Sequence, residues 1–160
     1  MTGTLAADTN LIVKFPGGGS IPVAFASGPG TYVTFDREGY VVFGTLARED
    51  SFTIPRPGGG TTTIKFSAGS QIMVNHKGVV TTGTLYSDDA LPIKFRGRIF
   101  PVVLKGGTKV VLNDNGTLKS GTLAQAMELP TKKRRRWSMK RYEAGTSVSF
   151  NKRGYVTDSW

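Results

Sequence analysis

Gly30-Thr31-Tyr32-Val33-Thr34-Phe35-Asp36-Arg37-Glu38-Gly39-Tyr40-Val41 is a β-hairpin legible in the sequence. Val33 and Phe35 alternate with Thr34, so one side of the strand is apolar and the other polar. Asp36 opens the turn, because a short acidic or amide side chain bonds the backbone two residues on. Gly39 closes it in the left-handed conformation of a bulge. The block recurs as Gly69 to Val80, Gly107 to Leu118 and Gly145 to Val156. In each copy Asn75, Asn113 or Asn151 opens the turn and Gly78, Gly116 or Gly154 ends it. The two glycines stand nine residues apart every time, so the block is one rigid piece. Strands are expected at Thr31 to Asp36, Tyr40 to Ala47, Ser70 to Asn75, Val79 to Tyr86, Thr108 to Asn113 and Thr146 to Asn151.

A second signature sets the period. Gly-Thr-Leu occurs at Gly3, Gly44, Gly83 and Gly121, spaced 41, 39 and 38 residues apart. That period marks a repeat architecture with units 1–43, 44–82, 83–120 and 121–160. Between the signatures lies a looser hairpin, such as Leu11 to Phe15 and its return to Phe25. Its tip varies: Pro16-Gly17-Gly18-Gly19, Pro57-Gly58-Gly59-Gly60, Arg96-Gly97-Arg98, then a basic run. Pro92 and Pro130 argue for strand ends or edges. Each unit thus holds about four strands, fifteen or sixteen in all. Ala124 to Glu128 alone has helical propensity and is too short to nucleate. The fold class is all-β, a single domain over residues 1–160. Val33, Phe35, Ile72, Val74, Val110, Leu112, Val148 and Phe150 form the expected core, with Leu5, Leu46, Leu85 and Leu123.

The 160 residues suffice to bury a core. Cysteine is absent, which excludes disulfides and thiolate metal sites. No secretory signal and no membrane-spanning apolar run is visible, so the expected location is cytoplasmic. No residue set asks for a cofactor or a metal.

The net charge of +10 rises along the chain: −1, +2, +3 and +6 over the four units. The scaffold does not demand that gradient. Its peak is Lys132-Lys133-Arg134-Arg135-Arg136-Trp137-Ser138-Met139-Lys140-Arg141-Tyr142, which replaces the looser hairpin of unit four. Lys132, Lys133, Arg134, Arg135, Arg136, Trp137, Lys140 and Arg141 are the candidate site for an anionic partner. Clustered cations attract polyanions and release counterions on binding. Trp137 and Tyr142 add faces for stacking on bases or for a lipid headgroup layer. Nucleic acid, an acidic protein and an anionic membrane surface all fit. So does a solvated tip without any ligand, in a scaffold that is purely structural. Strand edges offer a route to oligomers.

Catalysis has few candidates. His76 is the only histidine and lies in a turn, where the other units place Arg37, Asp114 and Lys152. Asp8, Glu49 and Asp88 share one repeat position and read as loop caps. The alternative is a carbohydrate- or polymer-active enzyme with Glu49 and Asp88 as paired carboxylates.

The Asn/Asp-x-x-Gly-x-Val turn and the Gly-Thr-Leu strand resemble the hairpin repeats of bacterial proteins of the broad MORN type. The resemblance spans all four units. MORN units are nearer half this length and carry Tyr and Trp positions absent here. It implies scaffold or interaction work, sometimes at membranes, and names no catalytic residue. Two architectures satisfy the pattern: an open solenoid-like sheet and a closed ring of four propeller-like units. Five residues separate Gly39, Gly78 and Gly116 from the next Gly-Thr-Leu, and the same count from Gly154 ends at Ser159. The strand at Gly3 would then seal a ring. No unit reads as the polar cap an open array needs.

Overall fold

The computed structural model describes all residues from Met1 to Trp160, and every element is a strand. β1 (Thr2–Thr4) precedes four pairs of hairpins, an outer and an inner one in each. The first pair is β2 (Thr9–Lys14) with β3 (Ser20–Phe25), then β4 (Tyr32–Phe35) with β5 (Val41–Thr45). The second is β6 (Asp50–Pro55) with β7 (Thr61–Phe66), then β8 (Gln71–Val74) with β9 (Val80–Thr84). The third is β10 (Asp89–Phe95) with β11 (Arg98–Leu104), then β12 (Lys109–Leu112) with β13 (Leu118–Thr122). The fourth is β14 (Met127–Lys133) with β15 (Arg136–Tyr142), then β16 (Ser147–Phe150) with β17 (Val156–Ser159).

The inner hairpins join edge to edge. Behind β1 they form one antiparallel row, β1-β4-β5-β8-β9-β12-β13-β16-β17. Nine strands at a spacing of about 4.8 Å make the row roughly 40 Å long. The turns follow the sequence. Asp36, Asn75 and Asn151 each accept two backbone N–H groups of their own turn. In unit three Asn115 accepts instead, from Thr117, while the Asn113 amide donates to Thr117. Gly39, Gly78, Gly116 and Gly154 have φ of 88°, 81°, 80° and 79°, the left-handed region the bulge requires.

Outer hairpins one to three are separate two-stranded sheets on one face of the row. Their inward residues, among them Val23, Ile54, Ile64, Ile93 and Val102, join Val33, Ile72, Val110 and Val148 in one core. The other face of the row has no second layer. Pro22, Pro92 and Pro101 stand inside these strands, with Pro92 opposite Pro101. A two-stranded hairpin leaves one outward edge per strand, where a missing N–H breaks no ladder.

Space explains the glycine of Gly-Thr-Leu. A Cβ on Gly44 would lie 2.5 Å from the Phe25 ring, and one on Gly83 would lie 2.5 Å from Phe66. On Gly121 it would lie 3.0 Å from Leu104. The return strand of each outer hairpin thus presses its last apolar side chain onto the following Gly-Thr-Leu strand. Single bridges from Phe25 to Leu46, Phe66 to Leu85 and Leu104 to Leu123 fix the contact. Outer tips also rest on the next inner turn: a Cβ on Gly78 or Gly154 would meet Lys14 O at 2.7 Å or Lys94 O at 2.5 Å.

Several expectations change. The ring does not close: β1 pairs only with β4, and β17 pairs with β16 and β14. Outer hairpin four turns inward, and a single parallel bridge from Thr131 to Val156 ties it to the row. The sheet therefore runs to eleven strands and ends on β15. Hairpin four is the polar cap. It puts Thr131 and Lys140 where hairpin three has Ile93 and Val102, in matching register. Leu5 and Phe35 are only half-buried, because outer hairpin one rests on the unit-two turn and no outer tip covers the unit-one turn. As expected, no helix forms at Ala124 to Glu128; Met127 and Glu128 begin β14. No helix is long and apolar enough to cross a membrane.

Candidate anion-binding surface

Hairpin four splits the candidate residues between two faces. Lys132 stands opposite Trp137, and Glu128 opposite Arg141. Lys133 stands opposite Arg136, and Leu129 opposite Lys140. Directly opposed residues share a face and neighbours along a strand alternate. Lys132, Trp137 and Arg141 therefore lie on one face, and Lys133, Arg136 and Lys140 on the other. Arg134 and Arg135 form the turn between them. Lys133 against Arg136 is a like-charge pair, which opposes hairpin formation.

The Trp137 face meets hairpin three. Phe95 approaches the Trp137 ring edge-on at 5.5 Å, and Tyr155 approaches Phe95 at 5.2 Å. The Arg96 guanidinium lies over Trp137, 5.1 Å from its centroid. Trp137 keeps 45% of its surface exposed. A sulfur contact from Val103 N to Met127 Sδ, 3.4 Å, ties the two hairpins at their base. The inner turn Asn151 to Gly154 backs onto Lys94 and Phe95.

Three loops of the third and fourth units thus meet around an aromatic cluster. Besides the run itself they carry Lys94, Arg96, Arg98, Lys152 and Arg153. These five are visible in the sequence as part of the charge gradient; the fold puts Arg96 over Trp137 and sets the other four on the loops that adjoin it. Of all the cations on these loops, Arg141 alone has a carboxylate partner, Glu143 at 3.1 Å. Lys140 lies over the Tyr142 ring at 5.0 Å, and burial pushes the Tyr142 hydroxyl above the usual tyrosine range.

The backbone marks two of these residues. Arg96 and Arg134 have φ of 50° and 54°, and they are the only non-glycine residues with positive φ. Both sit at hairpin tips. The tips of hairpins one and two place Gly17, Gly18, Gly58 and Gly59 in that region. An L-residue there is strained by about 1–2 kcal/mol.

The repeated carboxylates serve their own loops. Asp8 accepts from Ser27 N at 2.7 Å and Ser27 Oγ at 2.9 Å, and these donors hold its carboxyl below the ordinary value. Asp88 accepts from Gly106 N at 2.8 Å. Glu49 pairs with Lys65 at 2.9 Å, and that bond lowers the Glu49 pKa and raises that of Lys65. Glu49 and Asp88 therefore engage different partners in different units. His76 is exposed in its turn. A shallow groove of about 660 Å³ on the open face is lined by Met73, Asn75, Thr82, Asn113 and Asp114. Its one carboxylate, Asp114, accepts from the Asn75 amide at 3.0 Å.

Comparison of the chain with protein-family models, curated proteins and solved structures finds no match.

Proposed function

We propose that this protein is a non-catalytic interaction module that binds a polyanion through the adjoining tips of outer hairpins three and four. One observation carries the reading: the two arginines held in left-handed backbone sit on these neighbouring tips. Strain retained at an exposed position points to a role beyond folding. Arginine is also the residue whose planar fork grips phosphate in pairs of hydrogen bonds and stacks on bases. Trp137 beside it offers a stacking face. Phosphate-bearing nucleic acid therefore fits these residues better than an acidic protein or a lipid surface. The scaffold role implied by the MORN-like pattern is compatible with it. The carboxylate-pair enzyme has less support, since Glu49 and Asp88 are each occupied as loop ties.

A second reading rests on the place of β15. It is the edge strand of the eleven-stranded sheet, and charges on an edge keep it from pairing with other chains. The two readings part at Arg96 and Arg134, because an edge guard needs no strained arginine on hairpin three.

The experiment is binding of the intact protein to labelled single-stranded nucleic acid, duplex and acidic vesicles, at low and physiological salt. A variant with Arg134, Arg135 and Arg136 changed to Ser runs beside it. The parent should bind nucleic acid, and the variant should lower the log–log salt slope by about 2–3. Preference for vesicles would reassign the partner to a membrane surface. Equal, negligible binding by both proteins would leave the run as an edge guard only.

A further inference from the structure

We propose that the chain self-associates head to tail, with β1 of one copy entering the sheet of a second copy beside β16. One glycine without an internal reason and one uncovered turn point there: Gly3 has neither a positive φ nor a crowding neighbour, and Gly39 keeps its left-handed φ of 88° but lacks the cover its counterparts have. Gly44, Gly83 and Gly121 are buried beneath Phe25, Phe66 and Leu104, which leave no room for a Cβ. Gly3 holds the same repeat position, yet it is exposed and nothing lies within 4 Å of where its Cβ would be. Gly78, Gly116 and Gly154 are buried against the backbone of an outer-hairpin tip. Gly39, their counterpart, is exposed with nothing within 4 Å. Leu46, Leu85 and Leu123 are fully buried, whereas Leu5 is half-buried. A strand glycine that no neighbour crowds only weakens its strand. The unit-one end therefore carries an unfilled copy of a contact the chain makes with itself three times.

The opposite end carries the complement. β17 occupies the place of a Gly-Thr-Leu strand, but Ser159 stands where glycine should be and Trp160 is 70% exposed. β1 of a second copy fits that place better. In unit one Thr34 pairs with Phe43, which directly precedes Gly44. The same register sets Thr2 of the incoming copy opposite Ser149. Gly3 then lies beneath Tyr142, which holds the position of Phe25, Phe66 and Leu104, and Leu5 enters the slot that Leu46 fills in unit two. The incoming β1 keeps its own pairing with β4, so the sheet runs unbroken through β16, β1 and β4 of the two copies. The β16–β17 pairing and the Thr131–Val156 bridge are given up in exchange. Charge favours the approach: unit one is −1 and unit four +6, and Asp36 and Glu38, the latter paired with Lys14, lie just before the uncovered Gly39. The two surfaces differ, so growth produces rings or chains rather than a two-fold dimer.

Sedimentation equilibrium of the full chain from micromolar to near-millimolar concentration, without added polyanion, tests this independently of the anion-binding reading. The mass should rise with concentration and pass that of a dimer. Gly3→Leu is the discriminating variant. Its side chain meets open space within one copy, so its melting temperature should match the parent. Its bulk collides with hairpin four of the next copy, so association should weaken by about tenfold or more. A parent that stays at monomer mass throughout, or a Gly3→Leu variant that associates as tightly as the parent, overturns the proposal.

Discussion

Outer hairpins three and four have the same length, the same register and a two-residue turn each, yet different inner faces. Hairpin three turns Leu91, Ile93, Val102 and Leu104 inward, all buried. Hairpin four offers Leu129, Thr131, Lys140 and Tyr142 at these places, and Lys140 is exposed. The first is sandwiched between the row and its neighbours, and the second closes the row against β17. Hairpin four alone replaces two inward apolar residues, Ile93 and Val102 of hairpin three, by Thr131 and Lys140. What the two hairpins share is then more informative than what divides them. Both place an arginine in left-handed backbone at the tip. The end-cap role accounts for Lys140 and leaves Arg96 without an explanation.

The comparison breaks most visibly in the core. Phe66→Ala removes a fully buried ring pressed on Gly83 and should cost about 3–5 kcal/mol in chemical denaturation. Met139→Ala, a partly exposed side chain on the Trp137 face of hairpin four, should cost far less, within about 0.5 kcal/mol. Similar losses at both sites would mean that hairpin four is as deeply packed as the rest. Next in size is Gly83→Ala. Its methyl group would strike the Phe66 ring, and overpacking of this kind costs about 1–3 kcal/mol. A melting temperature equal to the parent's would remove the reason given for the Gly-Thr-Leu glycine.

Smaller effects sharpen the electrostatic side. Arg136→Thr relieves the like-charge pair with Lys133 and should stabilise by about 0.2–1 kcal/mol, read as a raised denaturation midpoint. The smallest effect is acid sensitivity. Asp8 and Glu49 have folded-state pKa values below their ordinary ones, so the stability they contribute is present above the unfolded-state pKa. It is lost as pH falls through the folded-state values. A shallow decline in melting temperature below about pH 4 is expected, and Asp8→Asn should flatten it.

Much of the fold was open to reading. The alternation around Val33, Ile72, Val110 and Val148, with glycine nine residues after glycine, encodes local hairpin geometry that any chain must obey. Burial at Phe35 and Leu5 was overestimated, because periodicity reports which face a residue occupies and not whether a neighbour covers it. Open and closed arrays share the same local pattern. Thr131 and Val156, 25 residues apart, decided between them through a contact no periodicity reveals. The site was half legible. The basic run stands out in composition, whereas Arg96 joins it only through the packing of hairpin three on Trp137. The strain at Arg96 and Arg134 is a backbone property. Its one sequence trace is arginine at tips where the earlier units have glycine.

The most direct test is the double variant Arg96→Gly/Arg134→Gly, with its stability and its affinity for single-stranded nucleic acid measured on one preparation. Glycine removes the left-handed strain at the cost of some chain entropy, so each change should stabilise by about 0.5–1 kcal/mol. The account predicts a more stable protein that binds at least about tenfold more weakly at low salt. A variant that gains stability and binds as well as the parent would contradict it.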